Sequence, residues 1–268
     1  MSGLHGNEKT GQLVITELLK QPLNFQGILT ILPIANPTGF AQNTREEVVS
    51  GLDLNRQFPT TSIDAGIPDN VRTISELTKQ HDYVINLHNF STAGLIQALS
   101  NHIGNSDHVA TLFNPEIIRT SPKEAGAKLT GTLSRHLNEA RVPYVLIEMP
   151  VHTKVTAEQI GRIVLGLQKH LQHCAEYDQV KASLLDLIPK VVIRKVLSDK
   201  AGLFIKTKGL KLGDKVEKGQ PLGTIQDPIN DSTSSLPSPY SGIVCEMDDY
   251  TEREARAGEV LLRIGETV

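Results

Sequence analysis

The chain has 268 residues, 39% hydrophobic and 21% charged, with a formal net charge of -3. That length suits one large domain, or a medium and a small one, and can bury a substantial core without staples. The charge gives no basic footprint for nucleic acid and no polybasic membrane signal. No apolar run approaches the ~18 residues of a membrane span, and no signal peptide is visible, so a cytoplasmic location is the default. The two cysteines, Cys174 and Cys245, form no CxxC pair, which argues against a disulfide scaffold or a cysteine-rich zinc site.

Residues 8–21 place Leu13, Val14, Leu18 and Leu19 at helical spacing and predict a helix. Gly27–Ile34 is an apolar run of strand length. Residues 36–69 carry Pro, Gly, Asn and Asp throughout and predict a long loop, which at that length is usually functional or disordered. A helix is expected over 70–81, strands over 82–87 and 95–99, a helix over 123–140, a strand over 142–147 and a long amphipathic helix over 156–176. Helices alternating with short apolar strands imply an α/β sheet covered on both faces. Near residue 185 the texture changes to short Val/Ile/Leu runs with many glycines and no convincing helix. The expected division is therefore 1–180 as an α/β domain and 188–268 as a small all-β domain.

Four segments carry the chemistry: Gly3-Leu-His-Gly-Asn-Glu8; Arg45 with Asp53-Leu-Asn-Arg56; Asn86-Leu-His88; and Tyr144-Val-Leu-Ile-Glu148. His88 and Glu148 each follow an apolar strand, and ligand sites in open α/β sheets form beyond the carboxyl ends of strands. A buried strand-end carboxylate such as Glu148 needs a partner or a function. His-x-x-Glu alone is weak, because it recurs at His136/Glu139 and His173/Glu176, where it reads as solvated helix surface. The first copy differs in that glycines, Gly3 and Gly6, flank its His5 and a helix follows. His5, Glu8 and His88 together could hold zinc with a fourth position open, the pattern of a catalytic site.

Taken in order, Gly-x-His-Gly-Asn-Glu, Asp-Leu-Asn-Arg-x-Phe-Pro, a strand-end Leu-His and a strand-end Glu resemble the aspartoacylase and succinylglutamate desuccinylase family, a branch of the zinc carboxypeptidase fold. The resemblance covers about residues 2–176. It implies a mixed sheet flanked by helices and one Zn2+ per chain, with His5, Glu8 and His88 as ligands. It further implies Glu148 as general base and acid, Arg45 polarising the scissile carbonyl, and Asn55 and Arg56 holding a substrate carboxylate. The implied reaction is hydrolysis of the amide of a small N-acyl amino acid. A metallocarboxypeptidase acting on peptides and a non-catalytic zinc- or ligand-binding relic are the alternatives. A homo-oligomer is left open. In the family a strand precedes the first motif, whereas here Met1 lies four residues from His5. That strand is expected to be missing and His5 to be loosely held.

Residues 188–268 show two roughly similar halves, with Gly213-Asp-Lys-Val216 and Gly258-Glu-Val260 marking tight turns before strands. This texture resembles the lipoyl and biotinyl carrier fold, a flattened β sandwich (barrel-sandwich). The carrier lysine is absent, since the segment after Ile225 reads Gln226-Asp-Pro-Ile-Asn-Asp-Ser. A lid or assembly element is the expected role. Tyr250 resembles the tyrosine that aspartoacylases extend into the site from their C-terminal segment.

Overall fold

Side chains that alternate with period two give the first sheet two different faces. The computed structural model describes residues 1–59, 67–120, 130–173, 187–230 and 232–267. It divides into two compact units: Met1–Ser91 with Ile96–Ile188, and Thr92–Leu95 with Pro189–Val268.

In the first unit the helices are α1 (Thr10–Leu19), α2 (Pro37–Gln42), α3 (Asp69–Lys79), α4 (Ser106–Leu112), α5 (Leu133–Glu139) and α6 (Ala157–His173). The strands are β1 (Val84–Asn89), β2 (Gln97–Ser100), β3 (Ile117–Arg119) and β4 (Tyr144–Met149), in spatial order β1-β4-β2-β3. β1 and β4 are parallel, β4 and β2 antiparallel, and β2 and β3 parallel. The sheet is therefore mixed. Leu87, Ala98, Ile118, Val145 and Ile147 enter one core with Val14, Ile15 and Leu18 of α1 and Ile163 and Val164 of α6. Val84 and Tyr144, on the opposite face, enter a second core with Val71 and Ile74 of α3, Leu133 and Leu137 of α5, and Leu4, Leu54 and Phe58. The sheet is thus covered on both sides, as the alternation of helix and strand in the sequence implies.

Several expectations shift. α1 buries Val14, Ile15 and Leu18, whereas Leu13 and Leu19 are exposed. The Gly27–Ile34 run forms no strand. Its Ile28 is fully open, and Pro33 lacks the N–H a regular ladder needs. The expected loop 36–69 holds α2 and a short 3₁₀ turn, Leu54–Arg56. Asn36 starts α2 by accepting from Gly39 N at 2.9 Å, and Asp53 starts the turn by accepting from Asn55 N at 2.9 Å. α4 and β3 were not expected, being too short for a periodic signal. The first part of the predicted helix 123–140, the end of 156–176 and Glu176 lie outside the described residues.

The segment before the first motif is firmly held. Ser2 pairs with Leu87 in parallel, Met1 O accepts from Leu87 N at 2.9 Å, and Ser2 N donates to Leu32 O at 2.9 Å. Met1–Gly3 therefore runs beside β1 in a strand's place and aims His5 at the carboxyl end of the sheet. With Leu4 and His5 both buried, the expected looseness at His5 is not found.

Among the described residues, the regular elements of the second unit are all strands. One group runs in order β5 (Lys190–Leu197), β12 (Val260–Thr267), β10 (Gly242–Met247), β7 (Lys215–Val216). The other runs β11 (Glu252–Ala255), β6 (Gly202–Lys206), β8 (Pro221–Asp227), β9 (Ser232–Pro237), and the pairings within both groups are antiparallel. A single core takes Val196, Val244 and Ile264 from the first group and Phe204, Leu222, Ile225 and Leu236 from the second. Tyr250 packs against that core. Its ring meets Phe204 edge-on, Arg253 lies over it, and its hydroxyl donates to Leu261 O at 3.3 Å.

Candidate metal centre

The register of β1 on β4 sets His88 directly opposite Glu148 at the carboxyl ends of both strands. Partners in register share a face, so the imidazole and the carboxylate rise side by side. Gln97 of β2 faces Glu148 from the other side. His5 and Glu8 arrive from the turn that follows Met1–Gly3. This turn needs glycine at position 6, because a Cβ there would stand 2.0 Å from the carbonyl carbon of Gly39 and 2.3 Å from Phe40 N. The ligand turn is thereby pressed onto the N-terminal end of α2.

The three side chains converge. His5 Nδ1 lies 2.6 Å from Glu8 Oε1, and His88 Nδ1 lies 2.8 Å from Glu8 Oε2. One ligand atom from each residue falls within 4.8 Å of the others, and all three sites are buried. Asn89 N also donates to Glu8 Oε2 at 3.1 Å, fixing the carboxylate. Thr10 N in turn donates to Asn89 Oδ1 at 3.0 Å, which ties the start of α1 to the same point.

Each ring also has a polar neighbour at its outer nitrogen. Asp53 Oδ1 lies 3.3 Å from His5 Nε2. Asn86, two residues before His88 on the same face of β1, sets its side-chain amide 2.9 Å from His88 Nε2 and 3.1 Å from Tyr144 Oη. With its amide oxygen turned to that side, Asn86 would accept from both the His88 Nε2–H and the Tyr144 hydroxyl. Neighbours at the outer nitrogens leave the two Nδ1 atoms facing inward, the arrangement of ring-orienting groups around a metal.

The electrostatics favour a cation at this point. Burial opposes charge on His5, but the carboxylates of Asp53 and Glu8 outweigh it and raise its pKa to about 9. Burial likewise opposes charge on Glu8, and His88 and His5 overcome it and hold the carboxyl well below its usual range. Asp53 is also held low against its partial burial, by His5 and then Arg45. Glu8 and Asp53 thus bring two carboxylates to opposite sides of the His5 ring. Two imidazoles and one carboxylate are a donor set that suits zinc.

Arg45 is pinned beside this cluster. Its Nε and Nη2 donate to Asp53 Oδ2 at 3.1 and 3.0 Å, and its Nη1 lies 3.7 Å from Glu8 Oε1. The Asn55 amide oxygen accepts from Leu133 N at 2.9 Å, so that oxygen serves the start of α5. Arg56 is exposed, and its Nη1 donates to Asn55 O at 2.7 Å. His136 is not the surface group its sequence context suggests. It is buried between Ser75 Oγ at 2.8 Å and Pro59 O at 2.7 Å. Sequence reasoning assigned no role to Asp53 or Asn86. Their signals were present, since Asp53 opens the Asp-Leu-Asn-Arg motif and Asn86 lies two residues before His88 on a strand.

A mixed α/β sheet with this cluster at its strand ends frames a candidate metal site. The catalytic domain of the succinylglutamate desuccinylase/aspartoacylase family matches residues 1–174, and the chain belongs to that family, one of deacylase enzymes. Solved structures extend the likeness over the whole chain. A succinylglutamate desuccinylase/aspartoacylase from Rhodobacter sphaeroides is 18% identical with a TM-score of 0.76, covering 100% of this chain and 85% of that one. The product-bound ectoine utilization protein EutE (DoeB) from Ruegeria pomeroyi is 18% identical with a TM-score of 0.78, covering 100% and 84%. An aspartoacylase family protein from Mesorhizobium loti is 19% identical with a TM-score of 0.68, covering 100% and 84%. At these identities the structures speak for the fold. Among curated proteins, none matches. No described helix is long and apolar enough to cross a membrane.

Proposed function

We propose that the chain is a zinc-dependent deacylase that hydrolyses the amide of a small N-acyl amino acid. The observation that carries the reading is the pairing of a buried His5–Glu8–His88 cluster with Glu148, in register with His88 at the same sheet end. Zinc bound by His5, Glu8 and His88 would supply Lewis-acid chemistry, drawing the pKa of water toward neutrality and polarising the carbonyl it faces.

The chain's own groups divide the remaining work. Glu148 is the base that takes a proton from the attacking water and then delivers it to the leaving amine. Arg45 keeps its Nη1 toward the cluster while Asp53 holds the rest of the guanidinium. It can therefore meet negative charge on the scissile oxygen without first reorganising. Asn55 Nδ2 and the exposed fork of Arg56 hold a substrate carboxylate, a geometry that suits arginine. The second unit reads as a relative of the lipoyl and biotinyl carrier fold without carrier chemistry.

The test combines metal content with turnover. Protein purified without chelator is expected to hold close to one equivalent of zinc and to hydrolyse a member of an N-acyl amino acid panel. His88→Ala loses the metal. Glu148→Gln keeps it, and kcat falls by about 10²–10⁴-fold. Zinc retained at full stoichiometry in His88→Ala, or undiminished kcat in Glu148→Gln, would overturn the reading.

A further inference from the structure

Arg119 closes the row of side chains that starts at His88. β3 pairs with β2 so that Ile117 stands opposite Gln97, and Gln97 stands opposite Glu148. Arg119, two residues after Ile117, therefore projects from the same sheet face as Glu148 and His88. Two strand spacings, about 10 Å, separate β3 from β4, and the long arginine side chain spans much of that gap. Arg119 Nη1 lies 3.5 Å from Glu148 Oε1. Among the described residues Arg119 has no other ion pair, whereas Arg45 is fastened to Asp53 by two hydrogen bonds.

The Arg119 side chain is 37% exposed and that of Glu148 only 19%. A partly open pair at this separation gains little net energy, so an incoming anion can replace the carboxylate at small cost. Glu148 gives its proton to the leaving amine, so the amine half of the substrate lies against Glu148. Arg119 approaches Glu148 from β3, on the side away from His88.

We infer that Arg119 is a specificity-determining residue that binds a carboxylate on the leaving-amine half of the substrate, exchanging Glu148 for it. This rests on the deacylase reading above and adds a second cationic contact to the one proposed for Arg56.

Zinc-loaded wild type, Arg119→Gln and Arg119→Lys are assayed on N-acetylglutamate, N-acetylbutylamine and N-succinylbutylamine. The same proteins are titrated calorimetrically with free glutamate and with butylamine. In Arg119→Gln the ratio of kcat/KM for N-acetylglutamate to that for N-acetylbutylamine is expected to fall about 10- to 100-fold, the range of one charge-assisted hydrogen bond. The loss appears mainly in KM, Arg119→Lys restores part of it, and glutamate binding weakens in parallel. An unchanged ratio would reduce Arg119 to a structural residue. A loss specific to N-succinylbutylamine would put the anion on the acyl half and overturn the assignment. If wild type cleaves none of the amides yet binds glutamate through Arg119, the deacylase reading falls and the anion site stands. If it binds no glutamate either, both fall.

Discussion

The two units bury different kinds of side chain. All nine histidines precede residue 174, so every one falls in the first unit. There the described core encloses His5, His88, His136 and His170 with Asn36, Asn86, Asn89 and Gln97. In the second unit the buried polar residues among those described are Ser198, Ser238 and Glu246, and Glu246 is paired with Arg263 at 2.5 Å. After β8, Asp227 turns back on its own hairpin, accepting from Ile229 N at 2.8 Å and from Asn230 Nδ2 at 2.9 Å. One unit carries desolvated polar groups at a sheet end, which are costly unless each is partnered. The other is an apolar core with solvated turns. The contrast singles out the first unit as the place of the candidate site.

If the contrast is real, mild acid should act on the units unequally. Burial holds His170 at about 4, against an ordinary value of 6.5, and lowers His136 in the same direction. Between those values the unfolded chain binds protons that the folded one refuses. The contribution of these two groups is therefore complete above about pH 6.5 and is lost as the pH falls toward 4. For His170 alone the loss is about 3 kcal/mol once the folded pKa is passed. The second unit holds no histidine and lacks this response. Hydrogen exchange at pH 7 and pH 5 should show amides of α6 losing protection while those of β10 and β12 keep theirs, and His170→Gln should flatten the difference. Equal loss in both units would break the contrast.

The sequence made the site more legible than the sheet that carries it. His88 and Glu148 could be read because each ends an apolar run, and β1 and β4 run one residue beyond them. The register that sets them side by side could not be read, since it is a property of two segments fifty or more residues apart. Arg119 was missed for the same reason. β3 has three residues and gives no periodic signal, and only pairing through β2 brings its arginine to Glu148. The place of Met1–Gly3 was hidden too, because three residues look like a frayed end until Leu87 and Leu32 supply their hydrogen bonds. His136 was misjudged because amphipathic spacing cannot show that Ser75 and the Pro59 carbonyl wait on its inner side.

Glycine substitutions sharpen the comparison further. Gly6→Ala would force a methyl to within 2.0 Å of the Gly39 backbone, where no side chain can move aside. A loss of about 3 kcal/mol is expected, the upper part of the overpacking range. Zinc affinity should fall with it, because relief of the clash must shift either α2 or the turn that holds His5 and Glu8. Denaturant unfolding and zinc titration check the two effects separately. A variant that melts and binds zinc like wild type would mean that the turn has slack its geometry does not show.

The smallest effect is expected at Gly258, in the turn between β11 and β12 of the second unit. Nothing lies within 4 Å of a Cβ built there, but its φ is +79°, a conformation L side chains rarely adopt. Gly258→Ala should therefore cost about 1–2 kcal/mol through backbone strain alone. Neighbours constrain Gly6, whereas the chain's own dihedral constrains Gly258, so the remedies differ. Asparagine tolerates left-handed backbone and should recover most of the stability at position 258. At position 6 it should recover none, because a larger side chain makes the clash worse. Zinc content is expected to stay near one equivalent in both Gly258 variants, and denaturant midpoints with metal analysis on the four proteins read this out. If Gly258→Asn is no better than Gly258→Ala, the constraint at that turn is steric after all, and the division between a crowded site turn and an open scaffold turn does not hold.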